Sequence, residues 1–387
     1  MHRATRTPST PPAPLAGPWP SAEKGCLRLP GPFEFKRGGV VSKVDVAYET
    51  WGTLAPAADN AILVLTGLSP SAHARSSAHD ATAGWWEDMI GPGRPLDTDR
   101  FYVICVNSLG SCFGSTGPTS LDPDTTTPYR LRFPQLTIED IATAAHLTVV
   151  GLGVERLYGV VGPSMGGMTA LAYALAYPRG VGRLALISTA GRAEARAIAV
   201  HSLQREAIRA DPLWDAGDYD LARPPVAGMK LARKIGMTSY RSAPEWESRF
   251  RNTRTDLSST EPFGREFEVE SYLEAVARKF VGGFDANAYL YLSRAMDLFD
   301  AGEHPNGLAG ALGALALEKV LVIGVETDTL FPVHQQVALA ADFENAGHAT
   351  ELVALPSPQG HDAFLVDLER FGPILRGFLD SEPATAT

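Results

Sequence analysis

A serine between two glycines is the residue of this chain best suited to nucleophilic chemistry. Ser164 lies in the pentapeptide GPSMG, a G-x-S-x-G pattern. Residues 157–161 are mostly β-branched or aromatic and residues 168–175 are rich in alanine and leucine, which predicts a strand, a tight turn and a helix. The glycines leave room for such a turn and hold the serine hydroxyl clear of the backbone. The pattern therefore predicts a nucleophile; the alternative is a glycine-rich connection without chemistry.

An attack by Ser164 on a carbonyl would create an oxyanion that needs hydrogen-bond donors. Met165 begins the predicted helix, where free N–H groups and the helix dipole favour negative charge. The second donor is expected in the loop that follows the apolar strand Ala61–Leu65, and we assign it to Leu68. Met165 and Leu68 are thus the predicted oxyanion residues.

A serine hydroxyl also needs a base, and the base needs a carboxylate to orient it. After a nucleophile turn of this kind, the acid and the histidine follow in that order, each in the loop after a late strand. Asp328 follows the apolar run VLVIG, and His361 follows ELVAL. Glu326 is the alternative acid, and an isolated aspartate or histidine in a loop is more often a turn or surface residue. Because both loops come in the required order, we predict a triad of Ser164, Asp328 and His361.

The elements that would position these residues alternate between apolar strands and helices up to residue 190. Alternating polarity over residues 44–50 suits an antiparallel edge strand, whereas uniformly apolar runs suit strands buried on both faces. Further strands are expected at 27–29, 61–65, 101–106, 157–161 and 184–188, with a helix at 138–152. The sequence therefore predicts an α/β fold with a mostly parallel, doubly wound sheet.

The pattern becomes helical between about residues 191 and 315 and returns to strands afterwards. Helices are expected at 193–209, 228–235, 243–251, 266–280 and 286–300, followed by a strand at 320–324, a helix at 334–346, a strand at 351–355 and a closing helix at 364–379. We predict a disordered tail (1–20), a sheet domain in two parts (21–190 and 316–380) and an inserted helical cap (191–315). The alternative is a second, independent domain.

Composition limits the classes of function. The 387 residues are 45% hydrophobic and 20% charged with a net charge of −10, and no stripe of Lys and Arg would favour non-specific nucleic-acid binding. The negative net charge does not exclude a local basic pocket that binds an acidic ligand. The chain has no GxxxxGK[ST], HExxH or CxxC motif, so we expect neither a phosphate loop nor a metal site.

The chain has three cysteines, Cys26, Cys105 and Cys112. A disulfide framework needs more cysteines and an even number of them, so we expect none here. No apolar run approaches the roughly 20 residues needed to cross a bilayer, and the first 20 residues lack the apolar stretch of a secretory signal. We therefore expect a cytoplasmic protein that binds neither a membrane nor a nucleic acid.

Several long motifs follow one another along the chain: AYETWGTLAPAADNAILVLTGLSPSAHA, NSLGSCFGSTGPTSLDP, FPQLTIEDIA, GPSMGGMTALA and GHDAFLVD. Together they resemble the homoserine O-acetyltransferase family of acyltransferases, which has the α/β-hydrolase fold, and the resemblance covers residues 27–379. It implies transfer of an acyl group from an acyl-CoA to the hydroxyl of an amino acid through an acyl-serine, with Ser164, Asp328 and His361 as the triad. It also implies acyl-CoA as a co-substrate, no permanently bound cofactor, and a homodimer built from cap helices.

The resemblance carries over two acceptor residues. The family's substrate arginine lies in a helix of the form LARxI, matched here by Arg233, and its substrate aspartate follows the catalytic histidine, matched by Asp362. A zwitterionic amino acid needs a cation for its carboxylate and an anion for its ammonium. Without the resemblance, Arg233 would be interpreted as a surface charge, and Lys234 is its neighbour and rival.

Within the family, the loop Gly67, Leu68, Ser69, Pro70 and the stretches NSLGSC, SLQREAIRADP and SPQGHDAFL are most similar to the serine O-succinyltransferase branch. This implies L-serine as acceptor and a role in cysteine synthesis; Pro70 would stiffen and narrow the acceptor pocket. His201 stands where succinyl-type relatives carry an arginine, and histidine binds a carboxylate more weakly and only when protonated. A helix-surface position is the alternative for His201, and acetyl-CoA with serine or homoserine is the alternative substrate pair.

Three functions stay open from the residues alone. An acyltransferase and a serine hydrolase (esterase or thioesterase) would use the same triad, and a non-catalytic binding protein could keep the same fold. The resemblance, together with the pair Arg233 and Asp362, favours transfer.

Overall fold

An eight-stranded sheet organises the computed structural model, which describes residues 22–255 and 263–381. The predicted tail, residues 1–20, lies outside the described residues. The strands are β1 (Ala22–Arg28), β2 (Phe33–Glu34), β3 (Val40–Val41), β4 (Asp45–Trp51), β5 (Ala61–Leu65), β6 (Ile90–Gly91), β7 (Leu96–Asp97), β8 (Tyr102–Val106), β9 (Leu157–Pro163), β10 (Val181–Ile187), β11 (Lys319–Val325) and β12 (Thr350–Leu355).

The order of strands in the main sheet is β1-β4-β8-β5-β9-β10-β11-β12, and β2 with β3 and β6 with β7 form two small ribbons. The pairs β1–β4 and β4–β8 are antiparallel, and the remaining neighbours in the main sheet are parallel. The prediction of a mostly parallel sheet with an antiparallel edge is confirmed. Parallel strands place their carboxyl ends along one edge, so residues that follow β5, β9, β11 and β12 come together there.

Helices cover the sheet and form the stretch between β10 and β11. They are α1 (Ile138–Gly151), α2 (Met165–Ala176), α3 (Ala195–Arg209), α4 (Val226–Tyr240), α5 (Ala243–Arg249), α6 (Glu268–Val281), α7 (Ala286–Leu298), α8 (Gly307–Gly313), α9 (Val333–Asn345), α10 (Ala363–Val366) and α11 (Leu368–Asp380). Helices α3 to α8 lie in the chain between β10 and β11, two strands that are neighbours in the sheet. We keep the name cap for residues 191–315; its boundaries with the sheet domain stay a prediction.

Both faces of the sheet are packed, which explains its uniformly apolar strands. Ile141 of α1 and Leu171 of α2 belong to one buried cluster, and Phe371 and Leu375 of α11 belong to the other together with Trp86. Burial of apolar area on both faces is the main source of stability for such a layered fold. It also makes the loops at the strand ends the place where polar chemistry can collect.

The four two-residue strands of the small ribbons were not predicted, and three longer elements also differ from the sequence prediction. The first strand covers Ala22–Arg28 rather than 27–29, because the edge residues AEKGCLR pair with β4 through the backbone without an apolar pattern. The closing helix is two helices, α10 and α11, separated at Asp367, where the backbone leaves the helical conformation (φ −109°, ψ 48°). Helix α8 was not predicted, because three glycines in GLAGALG give it low helix propensity. In the described ranges, no helix is long and apolar enough to cross a membrane.

Candidate active site

The turn that carries Ser164 is as tight as its glycines require. Ser164 lies between β9 and α2 with φ 56° and ψ −123°, a conformation that non-glycine residues seldom adopt. A Cβ atom on Gly162 would lie 2.1 Å from the carbonyl oxygen of Gly166, and a Cβ on Gly166 would lie 2.2 Å from that of Leu65. Neither position can take a side chain, so the chain reverses at Ser164 within the space that only glycine leaves.

The structure brings Ser164, His361 and Asp328 together. The Ser164 hydroxyl donates to Nε2 of His361 over 2.8 Å, and Nδ1 of His361 donates to Oδ2 of Asp328 over 2.7 Å. The second oxygen of Asp328, Oδ1, accepts the backbone N–H groups of Leu330 (2.8 Å) and Phe331 (2.9 Å). With both oxygens bound, the carboxylate is fixed in place and orients the imidazole.

Burial and charge together set the proton affinity of His361. Ser164 is 7% exposed, and His361 and Asp328 are each 4% exposed. Burial lowers the pKa of His361, but the charge and hydrogen bond of Asp328 and the charge of Asp362 outweigh it, so the pKa lies above the ordinary 6.5. The alternative acid, Glu326, is exposed at the surface.

A threonine ties the acid loop to the histidine loop. The hydroxyl of Thr327 donates to the carbonyl of Ser357 over 2.6 Å and accepts the N–H of Gly360 over 3.1 Å. Ser357 in turn donates its hydroxyl to Asp367, the residue that separates α10 from α11, over 2.6 Å. The two loops are therefore connected to each other and to the closing helices.

The predicted oxyanion residues lie at the nucleophile. Met165 follows Ser164 directly and is the first residue of α2, where backbone N–H groups have no carbonyl partner within the helix. Leu68 lies in the loop after β5 and contributes to the wall of the cavity that contains Ser164.

The cavity at Ser164 has a volume of about 100 Å³ and lies between the sheet edge and the cap. Most of the predicted site residues line it. The lining residues are Gly67, Leu68, Ser69, Pro70, Ser164, His201, Arg233, Tyr240, Met296, Leu330, His361, Asp362, Phe364 and Leu365. Asp328 lies behind His361 and does not line the cavity, which fits an orienting carboxylate.

Arg233 enters the cavity from α4 over two aromatic rings. Its guanidinium carbon lies 4.7 Å from the ring centre of Phe280 and 5.7 Å from that of Tyr240, and its Nε is buried without a hydrogen-bond partner. The rival Lys234 is instead paired with Glu274 over 2.7 Å. Among the described residues that line the cavity, Arg233 is therefore the cation that still has a hydrogen-bond donor to offer a ligand.

Asp362 carries a partner that the sequence analysis did not find. Nε of Arg241 lies 3.2 Å from Oδ2 of Asp362. Burial raises the pKa of Asp362, while the charges of Arg241, His361 and Arg233 act in the opposite direction. Arg241 is the first residue after α4, and no motif marks it.

His201 is buried in the cap and is not a surface residue. It is 2% exposed, and its Nδ1 lies 2.7 Å from Oδ1 of Asp297 on α7. Oδ2 of Asp297 lies 2.6 Å from Arg205, one turn farther along α3. Asp297 and Arg205 were missed in the sequence, although the spacing of His201 and Arg205 by four residues already places both on one helix face.

Known proteins share the fold of this chain. A family model described as alpha/beta hydrolase fold matches residues 60–368. The chain therefore belongs to the α/β-hydrolase fold family, as the arrangement of strands and the nucleophile turn indicate.

Curated relatives define a narrower group. A serine O-succinyltransferase from Stenotrophomonas maltophilia is 56% identical over 359 residues, which cover 91% of this chain and 96% of the relative. A serine O-succinyltransferase from Xanthomonas campestris pv. campestris is 52% identical over 366 residues, with 91% and 96% covered. At this identity the chain is a member of their family, and the resemblance found in the sequence is confirmed.

Solved structures include both an acyltransferase and a hydrolase. The homoserine O-acetyltransferase from Bacillus anthracis superposes with a TM-score of 0.87 at 28% identity and covers 94% of this chain and 99% of its own. Esterase E22 superposes with a TM-score of 0.85 at 30% identity, with 93% and 100% covered. The fold thus occurs in proteins of both classes.

Proposed function

We propose that this protein transfers a succinyl group from succinyl-CoA to the hydroxyl of L-serine. The observation that carries the proposal is the content of one small cavity: the hydroxyl of Ser164 together with a cation, Arg233, and an anion, Asp362. A simple ester hydrolase needs the hydroxyl and its base only, whereas a free amino acid as acceptor needs both charges. The name shared by the relatives at 52–56% identity supports the same activity.

In the first half-reaction, His361 takes the proton of the Ser164 hydroxyl and the oxygen attacks the thioester carbonyl. The N–H groups of Met165 and Leu68 stabilise the oxyanion. The carbon–sulfur bond then breaks, the proton on His361 passes to the sulfur of CoA, and Ser164 is left as its succinyl ester.

In the second half-reaction, His361 takes the proton of the acceptor hydroxyl, and the acceptor oxygen attacks the ester on Ser164. The bond between the acyl carbon and Ser164 breaks, and the proton returns from His361 to the Ser164 oxygen. The product is O-succinylserine, and the free enzyme is restored without any oxidation or reduction.

Arg233 and Asp362 would bind the two charged ends of the acceptor. The buried, unpartnered Nε of Arg233 is a donor for the α-carboxylate, and an ion pair over aromatic rings is strengthened by the low local polarity. Asp362 would accept the α-ammonium while Arg241 holds its position from the other side.

The acyl chain is assigned to the His201 side of the cavity. Nδ1 of His201 faces Asp297, which leaves the other ring nitrogen, Nε2, for a ligand. When protonated, that nitrogen can donate to the distal carboxylate of a succinyl group, which an acetyl group lacks. Transfer of acetyl from acetyl-CoA to serine or homoserine is the alternative, in agreement with the structural similarity to a homoserine O-acetyltransferase.

A serine hydrolase is the second candidate function, because esterase E22 shares the fold at 30% identity. Hydrolysis and transfer differ in whether water or the acceptor reaches the acyl-serine. The triad in this protein is buried under the cap, with the rings of Tyr240, Phe331 and Phe364 centred 5.4–6.0 Å from that of His361. This apolar shell favours transfer.

The deciding experiment measures thiol release from succinyl-CoA and acetyl-CoA, each without acceptor, with L-serine and with L-homoserine. We expect release with succinyl-CoA that depends on L-serine, and O-succinylserine by mass spectrometry. Release that is independent of any amino acid would identify a hydrolase, and faster use of acetyl-CoA would identify an acetyltransferase.

Three finer properties complete the proposal. Formation of O-succinylserine suits a role in cysteine synthesis. The succinate of this ester is a better leaving group than the hydroxide of free serine. We also propose a cytoplasmic location and a homodimer formed through the cap; sedimentation of the purified protein tests the dimer.

A further inference from the structure

A second cleft lies beside the active site, and the mechanism above makes no use of it. It has a volume of about 350 Å³ and lies between α3, α7 and the segment before α1. Its lining residues are Leu131, Phe133, Gln135, Leu136, Arg205, Arg209, Leu290, Tyr291 and Arg294. We call it the arginine cleft.

The charge of the arginine cleft has one sign. Arg205, Arg209 and Arg294 line it, and no acidic side chain of the described part of the chain does. Two other clefts carry both signs: one of about 390 Å³ has an arginine together with Glu194, Asp300 and Asp342, and one of about 900 Å³ has two arginines and three acidic residues. In a chain of net charge −10, three cations without an acid indicate a site for an anion.

Two of the three arginines have no acidic partner within residues 22–255 and 263–381. Among the described residues, neither Arg209 nor Arg294 forms an ion pair; Arg209 lies over the ring of Trp214 with its guanidinium carbon 5.7 Å from the ring centre. Both are exposed to solvent, so a ligand can reach them. Arg205 is held in place by Asp297 and by the hydroxyl of Ser293 at 2.8 Å.

The arginine cleft and the active-site cavity are linked through Asp297. His201 lines the cavity and Arg205 lines the cleft, and Asp297 contacts both residues. His201, Arg205 and Arg209 follow one another at intervals of four residues on α3, so each step moves about 6 Å away from the cavity along the helix. On α7, Asp297 lies beside the cavity, and Arg294 lies one turn away on the cleft side.

We propose that the arginine cleft binds the phosphate groups of the CoA thioester. The inference rests on the proposed function, since it concerns the donor of that reaction. Guanidinium groups bind phosphate oxygens through paired hydrogen bonds, and CoA carries its phosphates at the far end of a flexible arm from the thioester. With the thioester at Ser164, the arm would extend past His201 and Asp297, and the phosphates would meet Arg209 and Arg294.

The test compares two donors in a double variant, Arg209→Gln with Arg294→Gln. One donor is succinyl-CoA, and the other is S-succinyl-N-acetylcysteamine, which keeps the thioester but has no phosphate. We expect the KM for succinyl-CoA to rise about a hundredfold, about tenfold for each arginine. The kcat/KM for the truncated donor should change less than twofold.

The matched control is Arg278→Gln, an arginine of the cap helix α6 whose side chain is 69% exposed; its KM for succinyl-CoA should stay within twofold of the wild type. A double variant that keeps the wild-type KM for succinyl-CoA, or that loses activity with both donors alike, would overturn the inference. In either case, transfer by the wild-type protein would leave the proposed function intact.

Calorimetry separates CoA from a free anion as the occupant. The wild-type protein should bind CoA more tightly than pantetheine, and the double variant should bind the two alike. If the variant instead loses binding of inorganic pyrophosphate while its affinity for CoA is unchanged, the cleft serves a free anion and the inference is wrong.

Discussion

The sheet edge and the cap contribute to the same cavity by different physical means. At the sheet edge, Ser164, Asp328 and His361 each follow a parallel strand by a few residues, so the strand register sets their spacing. In the cap, His201 is held by Asp297, which is 96 residues away in the chain. Backbone topology thus positions the chemistry, and side-chain packing between helices positions the groups that select substrates.

This contrast predicts two kinds of defect. A change at the sheet edge should lower kcat with every donor and acceptor, because the triad acts on each of them. A change in the cap should alter KM or the choice of substrate and leave the chemical step in place. The four variants that follow test this division in order of decreasing effect.

The largest effect is expected for Ser164→Ala. Removing the nucleophile should lower kcat by about 10⁶-fold, because no acyl-serine can form. The assay is formation of O-succinylserine, with circular dichroism as a check of folding. An unchanged rate would show that the chain is a binding protein without this chemistry.

Asp328→Asn should lower kcat by about 10⁴-fold, because the amide favours the wrong tautomer of His361. It should also change the pH profile. In the wild type, Asp328 and Asp362 hold the pKa of His361 above 6.5, so kcat/KM falls as the pH drops through that pKa and the base becomes protonated. Without the Asp328 charge the acid limb should move to lower pH. An acid limb at the same pH in both proteins would contradict this assignment.

Arg233→Gln should raise the KM for L-serine by about 10- to 100-fold, the loss expected for one charge-assisted hydrogen bond to a carboxylate. The burst of CoA release that reports acylation should persist, because Arg233 is assigned to the acceptor. Lys234→Gln is the matched control, since Lys234 is paired with Glu274, and its KM should stay within about twofold. Equal effects of the two variants would remove Arg233 from the acceptor site.

The smallest effect is expected for His201→Gln, which should lower the ratio of kcat/KM for succinyl-CoA over acetyl-CoA by about fivefold. A neutral amide can donate a hydrogen bond to the succinyl carboxylate, but it cannot take up a proton as an imidazole can. His334→Gln, a histidine whose side chain is 64% exposed, is the control and should leave the ratio unchanged. A loss of activity with both donors to the same extent would mean that His201 supports the cap rather than the donor.

The same division explains what could be predicted from the sequence. The turn at Ser164 and the loops of Asp328 and His361 follow uninterrupted apolar runs, so local pattern and strand order were enough to bring them together. Arg241 beside Asp362, and Asp297 between His201 and Arg205, depend on how helices pack over long separations. Periodicity carries no information about such contacts.

The strands and helices were likewise predicted only where the local sequence pattern determines them. The buried parallel strands were predicted because burial on both faces leaves a continuous apolar run. The edge strand Ala22–Arg28 was placed too late, because its pairing depends on the backbone of β4 rather than on its own side chains. The break at Asp367 between α10 and α11 coincides with the contact to Ser357, which is a tertiary interaction.

The hydroxyl of Thr327, which joins the loops of Asp328 and His361, has a consequence for turnover. The acid and the base are anchored to each other and, through Ser357, to the closing helices, none of which belongs to the cap. The loop of His361 is also bound to the cap, by Arg241 at Asp362 and by the Ser242 hydroxyl at the carbonyl of Pro358. Opening of the cap for substrate entry or product release would therefore pull on this loop, and the contacts of Thr327 limit how far His361 can shift.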